Sequence, residues 1–480
     1  MDNIVEEIEA KYPVDRILVD REQVWPYLRI FYHLEYVTKI WGQNGETQYG
    51  EPLYPQPSVS QRLKVYLEVV KNSSYGLKNW LGKYDYVALS NTQERRSING
   101  KYFNRLIDTM IDELGRDSVL YIERRAPSFY PIKKVHTKRV VGRDLIDLIM
   151  LLVAFWEKIT LRRYTIQNRY ILQAIQRDYN LEIDDAQLIK TYIIQRRVYS
   201  LLFRMIKPKA ILLSDYYSAN MPAIKAARNL GIKVVEFQHG LIGNENPAYN
   251  VGVEIDKTYF PDYLLVFGRK EIETFANSRF IEPKNVFPVG SFYIEHMRSN
   301  RPECSLAKRL ENYKRSVGIT LSWTDEKSSI AFVRQAANLD KRIFYILIPR
   351  RPTLVYYDTL NLPENVAIIK DMNFYEVITY VDFHSTVSST CAIEAPSLGV
   401  QNILIDIDGV SKRFFGNILN DSRITRYINT PKEFVNTINT FEKLSKDTIS
   451  KLNEDIIATD YNKNIRDFTN LHLKHEQGSK

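Results

Sequence analysis

Five small hydroxyls crowd into the six residues Ser385-Thr386-Val387-Ser388-Ser389-Thr390, directly after an apolar run that ends at Phe383. Small hydroxyls at a strand-to-helix turn cap the helix that follows. The free N–H groups and positive end of that helix form a ready phosphate site. Ser385, Thr386, Ser388, Ser389 and Thr390 therefore read as donors to a diphosphate. Glu394, one helical turn in, is placed to accept from ribose hydroxyls. A capped helix without any ligand is the plainer alternative, but one cap does not need five hydroxyls.

A second chemical segment is Gln238-His239-Gly240-Leu241-Ile242-Gly243, which follows the run Lys233–Phe237. An imidazole at a strand end titrates near neutrality and can deprotonate an acceptor hydroxyl. His239 is thus one candidate base, and Asp215 is the other, either by itself or by orienting His239. Tyr216, Asn220, Gln238, Gly240 and Gly243 are expected to line the same cleft, the glycines by letting the backbone approach a ligand. Arg350 and Arg351, after another apolar run, have the forked donors that suit phosphate, and one of them is expected to act as a clamp. Arg95 within Ser90–Arg96, and the triplet Glu123-Arg124-Arg125, are expected on the acceptor side. Ser291, Ser322, Thr324 and His384 are weaker candidates.

Strands feeding their carboxyl ends into a common cleft would bring such segments together. Short β-branched or aromatic runs do alternate with amphipathic stretches of helical length from about residue 83 onward, which predicts βαβ units and parallel sheets. Strands are expected at 84–90, 119–122, 210–213, 233–237 and 263–267 in the first half of the pattern. In the second they are expected at 286–289, 318–323, 343–348, 366–369, 380–383 and 402–405. Helices fit 325–338, 373–379 and 390–398, and a long helical insertion spans about 142–206. With 480 residues the chain is too long for one core. The expected division is 1–295, an acceptor domain, and 296–480, a donor domain whose final helix crosses back.

The net charge of +9 suits anionic partners such as phosphorylated donors or an anionic membrane leaflet, yet no basic block or motif points to nucleic acid. Cys304 and Cys391 stand far apart, which excludes a disulfide framework and points to a reducing, cytoplasmic setting. The first ten residues are acidic where a secretory signal would be basic. The run Leu145–Phe155 is too short to span a bilayer, and reads as a helix that is buried or rests on a membrane.

Phe237-Gln238-His239-Gly240, taken with His384-Ser385-Thr386, Ser388-Ser389-Thr390, Glu394-Ala395 and Leu398-Gly399, resembles bacterial GT-B-fold glycosyltransferases that build capsule, lipopolysaccharide and teichoic acid. The resemblance covers about residues 80–440. It implies an α/β fold of two Rossmann-like domains facing a cleft, with donor phosphate on Ser388, Ser389 and Thr390 and ribose on Glu394. It also implies a nucleotide-sugar donor, a glycan or lipid-linked acceptor, peripheral association with the inner membrane, and no cofactor or metal. The hydroxyl cluster is similar to that of sialyltransferases too, but Pro349-Arg350-Arg351-Pro352 stands where those carry a His-Pro pair, against a CMP donor. Alternatives are a CDP-polyol phosphotransferase, a non-catalytic polysaccharide scaffold, and an epimerase, which would need paired carboxylates in the cleft.

Overall fold

The computed structural model describes residues 4–43, 59–240, 242, 246–276, 278–301, 306–322, 325–350, 352 and 355–474. Gly243, Thr324 and Arg351 lie outside the described residues.

The first sheet contains β1 (Tyr86–Asn91), β2 (Val119–Arg124), β3 (Val140–Gly142), β4 (Ala210–Leu213), β5 (Lys233–Phe237), β6 (Tyr263–Val266) and β7 (Val286–Pro288). All pairings are parallel, in the order β3-β2-β1-β4-β5-β6-β7. The second sheet contains β8 (Arg315–Thr320), β9 (Ile343–Ile348), β10 (Val366–Ile368), β11 (Phe383–Ser385), β12 (Gln401–Ile405) and β13 (Thr425–Ile428). It too is parallel throughout, ordered β10-β9-β8-β11-β12-β13. Each sheet therefore starts in its middle, builds one wing, then returns to build the other, which is the doubly wound Rossmann order. The fold is α/β with two Rossmann-like halves, the GT-B architecture that the resemblance implies.

Burial on both faces explains why the strands read as near-continuous apolar runs. In β1, Val87 and Leu89 point into one core while Tyr86 and Ala88 point into the other. The region 142–206 folds into α1's neighbours: α1 (Val59–Asn72) packs on α2 (Asp144–Ile159), and α2 packs on α3 (Asp185–Ile206). Strands β3 and β13 and the hairpin Arg95–Ile98/Lys101–Asn104 lie outside the expected set.

Between the sheets runs α4 (Phe292–Ser299), where Phe292 stacks on Phe103 of the first half and Tyr293 meets Tyr375 of the second edge to face. At the end of the chain α5 (Tyr461–Thr469) returns to the first half. Tyr461, Ile465 and Phe468 enter the core beneath β1 and β2, and the Tyr461 hydroxyl donates to the Leu106 carbonyl at 2.8 Å. The return is admitted by Gly290, whose φ is +86° and whose absent Cβ would sit 2.2 Å from the Ala458 carbonyl oxygen. Ala458 N–H in turn donates to Phe267 O at 2.8 Å, fixing the returning segment to the end of β6.

Candidate functional site

The hairpin after β1 turns on Asn99-Gly100, both at positive φ, a pairing that fits a two-residue primed turn. It holds Glu94, Arg96 and Arg105 at the boundary between the halves. Arg105 Nε donates to Glu94 Oε2 at 2.9 Å. Its Nη1 reaches the Tyr375 hydroxyl of the second half at 3.4 Å, and that hydroxyl donates to Glu394 Oε1 at 2.9 Å. Arg96 lies over the Tyr293 ring, 5.8 Å from its centre. A continuous polar chain, Glu94–Arg105–Tyr375–Glu394, thus joins the two halves.

The electrostatics extend that chain to both predicted segments. Burial works to raise the Glu94 carboxyl, but Arg105, then His239 and Arg96, overcome it and hold the group below the usual carboxylate range. Burial raises Glu394 above its ordinary value, with Arg105 pulling the other way. The Cys391 thiol is pushed up to about 12, by burial first and then by Glu394, against the opposing charges of Arg350 and Arg105. His239 from the first half and Arg350 from the second therefore act on members of one cluster.

His239 sits at the end of β5, its Nε2 3.0 Å from the Tyr217 hydroxyl. Its Nδ1 is buried with no hydrogen-bond partner among the described residues. Tyr217, and not Asp215, is the neighbour that holds the ring. Asp215 receives the Asn220 side-chain amide instead, at 2.7 Å on Oδ1 and 3.0 Å on its carbonyl. Asp215 and Asn220 share a small recess with Ser90, Asn91, Arg124 and Arg143, at the point between β1 and β4 where the strand order reverses.

Several expected cleft residues are spent elsewhere. Arg95 is buried, paired with Glu123 and with Asp108 and lying over the Tyr121 ring, because Arg95 and Arg96 alternate across the hairpin and only Arg96 faces the boundary. Tyr216 is in the core, its hydroxyl bonded to the Ala248 carbonyl among the rings of Tyr249, Phe260 and Phe280. Gln238 is a buried strut: it donates to Gly240 O and Glu271 Oε1, both at 2.9 Å, and accepts from Phe267 N at 2.6 Å. Gly240 has open space where a Cβ would be.

The hydroxyl cluster also divides. Thr386 Oγ1 donates to Thr320 O and accepts from Ser389 N, while Ser389 Oγ accepts from Cys391 N at 3.4 Å. Ser388 is bonded to Asp325. Ser385 is fully buried with Oγ unpartnered among the described residues, and Thr390 makes no side-chain cap. The expected helix 390–398 is one α-turn, Cys391–Glu394, followed by a 3-10 turn, because Pro396 supplies no N–H and Gly399 closes in the left-handed region. So short a helix has little dipole, and positive charge at the site comes mainly from Arg105, Arg96 and the exposed Arg350. Ser291 and Ser322 are buried.

Sequence reading missed Arg105 and Tyr375, and within Ser90–Arg96 it singled out Arg95, not Glu94. The Asn99-Gly100 pair was the available signal, since it marks a hairpin that projects its flanks from the strand end. A separate cavity of about 620 Å³ lies between the segments 250–252 and 270–278 of the first half and Asn417, Ile418 and Ile456 of the second. No described helix is long and apolar enough to cross a membrane.

No family model matches the chain, and no curated protein matches it in sequence. Among solved structures, the chain is similar to a UDP-GlcNAc 2-epimerase from Neisseria meningitidis bound to UDP-GlcNAc, at 11% identity over 80% of this chain and 98% of that one, with a TM-score of 0.47. It is similar to the glycotransferase of kitacinnamycin at 11% identity, 81% and 98% coverage and a TM-score of 0.48. The calicheamicin glycosyltransferase CalG4 gives 10% identity, 81% and 98% coverage and a TM-score of 0.46.

Proposed function

We propose that the protein transfers a sugar from a nucleotide-activated donor to a glycan or lipid-linked acceptor in the making of a surface polysaccharide. The observation that carries this reading is the polar chain Glu94–Arg105–Tyr375–Glu394, which joins residues of both halves beside His239 and Arg350. A transferase needs such a meeting of cations with a base, because a nucleotide diphosphate leaves as an anion while an acceptor hydroxyl loses a proton. In this reading Arg350 and Arg105 stabilise the leaving phosphate and Glu394 accepts from the ribose. His239, held through Tyr217, takes the acceptor proton. The arginines supply the charge stabilisation, and the reading calls for no cofactor or metal.

A panel of UDP, GDP, CDP and CMP in thermal melts tests it. A bound nucleotide at a hundred times its Kd stabilises the native state by about 2.7 kcal/mol. One nucleotide is expected to raise Tm in the wild type, and Arg350→Ala and Ser389→Ala are expected to lose that rise. A flat response to all four removes the reading and favours a non-catalytic scaffold. A response confined to CDP, with turnover of a CDP-polyol, would assign a polyol-phosphate transferase.

A second reading is favoured by one feature: Glu94 and Glu394 are two carboxylates flanking Arg105 at the boundary. Paired carboxylates can remove and return a proton on the sugar itself, which is epimerisation. NMR of a nucleotide-sugar incubated with the protein alone separates the two. A transferase leaves the sugar unchanged until an acceptor is added, whereas an epimerase converts it without one.

A further inference from the structure

One buried carboxyl has no part in the polar chain between the halves. Glu271, on the short helix Lys270–Thr274 after β6, is 5% exposed and lines the cavity of about 620 Å³ that opens between the segments 250–252 and 270–278 and the second half's Asn417 and Ile418. One of its oxygens accepts from Gln238 Nε2 at 2.9 Å, and the other has no hydrogen-bond partner among the described residues. Burial pushes this carboxyl up to about 7, opposed only by the Gln238 contact; Lys270, the one described cation in the lining, is not among the charges that act on it. A buried carboxylate without a counter-charge is costly, so its place in the wall of a ligand-sized cavity points to a partner that enters there. The walls themselves are fixed. Gln238 also donates to Gly240 O and accepts from Phe267 N, which ties the Glu271 contact to the backbone on either side of His239. The segment 247–252 is held by a buried ion pair: Arg29 donates to the Pro247 and Asn250 carbonyls, and Glu9 Oε2 accepts from Gly252 N at 2.7 Å.

What the lining holds selects the chemistry of that partner. Among the described residues it has no arginine and no aromatic ring, so it offers neither a fork for phosphate nor a face for a nucleobase. Three carboxylates, Glu6, Glu271 and Glu273, stand against the single lysine in a chain whose net charge is +9, so the cavity disfavours anions and favours a cation. No three described carboxylates are gathered as a metal ion requires, which leaves an organic cation. The Thr274 hydroxyl and the Asn417 amide make no hydrogen bond among the described residues, and both can exchange hydrogen bonds with sugar hydroxyls. An ammonium group on a hydroxyl-rich ring meets both demands.

We infer that this cavity binds an amine-bearing sugar residue of the acceptor, its ammonium on the free Glu271 oxygen and its hydroxyls on Thr274 and Asn417. The inference rests on the transfer reading only in calling the ligand an acceptor, since Glu271 is joined through Gln238 to the backbone that carries His239. Saturation-transfer NMR of the full chain with glucosamine, glucose and N-acetylglucosamine tests the binding without donor or turnover. Glucosamine is expected to bind at least about fivefold more tightly than either neutral sugar, a preference weakened by added salt. Glu271→Gln still offers an oxygen to Gln238, so its circular dichroism should match the wild type and its Tm should not fall, while the preference for glucosamine should vanish. Asn417→Trp, at an exposed position, fills the cavity and should abolish the response to all three sugars. Equal binding of the three, binding of none, a glucosamine preference that survives Glu271→Gln, or a response untouched by Asn417→Trp overturns the inference. A preference lost in Glu271→Gln, beside melts that stay flat with all four nucleotides, would keep the site and remove only the transfer reading.

Discussion

Where the second sheet reverses its strand order, between β8 and β11, His384 is buried and fully paired. Its Nδ1 lies 2.8 Å from Asn402 Oδ1, and its Nε2 lies 2.9 Å from the Thr320 hydroxyl. A single neutral tautomer satisfies both contacts, with Nδ1–H donating and Nε2 accepting. At the matching place in the first sheet, between β1 and β4, the Ser90 and Ser214 hydroxyls are 3.4 Å apart, and Asp215 faces a recess. One strand away, Glu236 is buried with Tyr249 OH and Tyr216 N on one oxygen and no partner among the described residues on the other. The two reversals thus differ in one respect: the second pairs both ring nitrogens of His384, although Ser385 Oγ beside it is unpartnered among the described residues, whereas the first has a buried carboxyl oxygen of Glu236 without a partner one strand away. An unsatisfied buried oxygen is costly for stability alone, so its place beside a candidate site is informative.

The largest expected effect breaks the His384 pairing. His384→Ala removes a ring held on two sides and leaves Thr320 and Asn402 facing a void, at a cost of about 3 to 5 kcal/mol in chemical denaturation. A loss below about 1 kcal/mol would mean the network is not holding the second sheet. Next in size is the link between halves. Arg105→Ala should lower kcat/KM by about 10² to 10³, because it strips the positive charge from between Glu94 and Glu394. Arg105→Lys should restore only part, since Lys keeps the charge but cannot reach Glu94 and Tyr375 together with one planar fork. Full rescue by Lys would reduce the link to a general field effect.

Glu236 yields a pH signature. Burial, with the nearby Asp215 charge adding to it, pushes Glu236 up to about 8 from its ordinary value of 4.5. The unfolded chain releases this proton near pH 4.5 while the folded chain keeps it to about pH 8. The stability contribution is therefore complete below 4.5 and is lost as pH rises through that interval, at up to about 1.4 kcal/mol per pH unit. Glu236→Gln should flatten the slope and gain most over wild type near pH 8. His384 gives the opposite sign: burial lowers it to about 4, so its contribution is lost as pH falls from about 6.5 toward 4. Unfolding curves across pH would show a wild type squeezed from both sides, with each wing removable by a substitution in a different half.

The sheets were legible because strands covered on both faces must be apolar throughout, and runs such as Ile343–Ile348 state this directly. The strand β13, Thr425–Ile428, was not legible: it lies at a sheet edge, and exposed Arg426 and half-buried Tyr427 break its pattern. His239, Glu394 and the Arg350 strand end could be named because each follows a recognisable run. Which hydroxyls remain available could not, since Thr386 and Ser388 are committed to Thr320 and Asp325, residues more than sixty positions away. Arg95 and Arg105 show the same limit. Both are arginines near one strand end, and only the hairpin's alternation decides that one pairs inside the sheet and the other crosses to the second half.

The smallest expected effect separates the two candidate bases. Asp215→Asn keeps an oxygen to accept the Asn220 amide, so the local fold should hold, with stability at neutral pH changed by under about 1 kcal/mol. Removing its negative charge lowers the Glu236 pKa, because like charges disfavour each other's ionised forms. The alkaline loss of stability should therefore end at a lower pH than in the wild type. If His239, held through Tyr217, is the base, kcat for Asp215→Asn stays within a few-fold of the wild type while His239→Ala falls by about 10² or more. The reverse ranking would transfer the role to Asp215. It would also move the reactive centre from the boundary between the halves into the recess between β1 and β4.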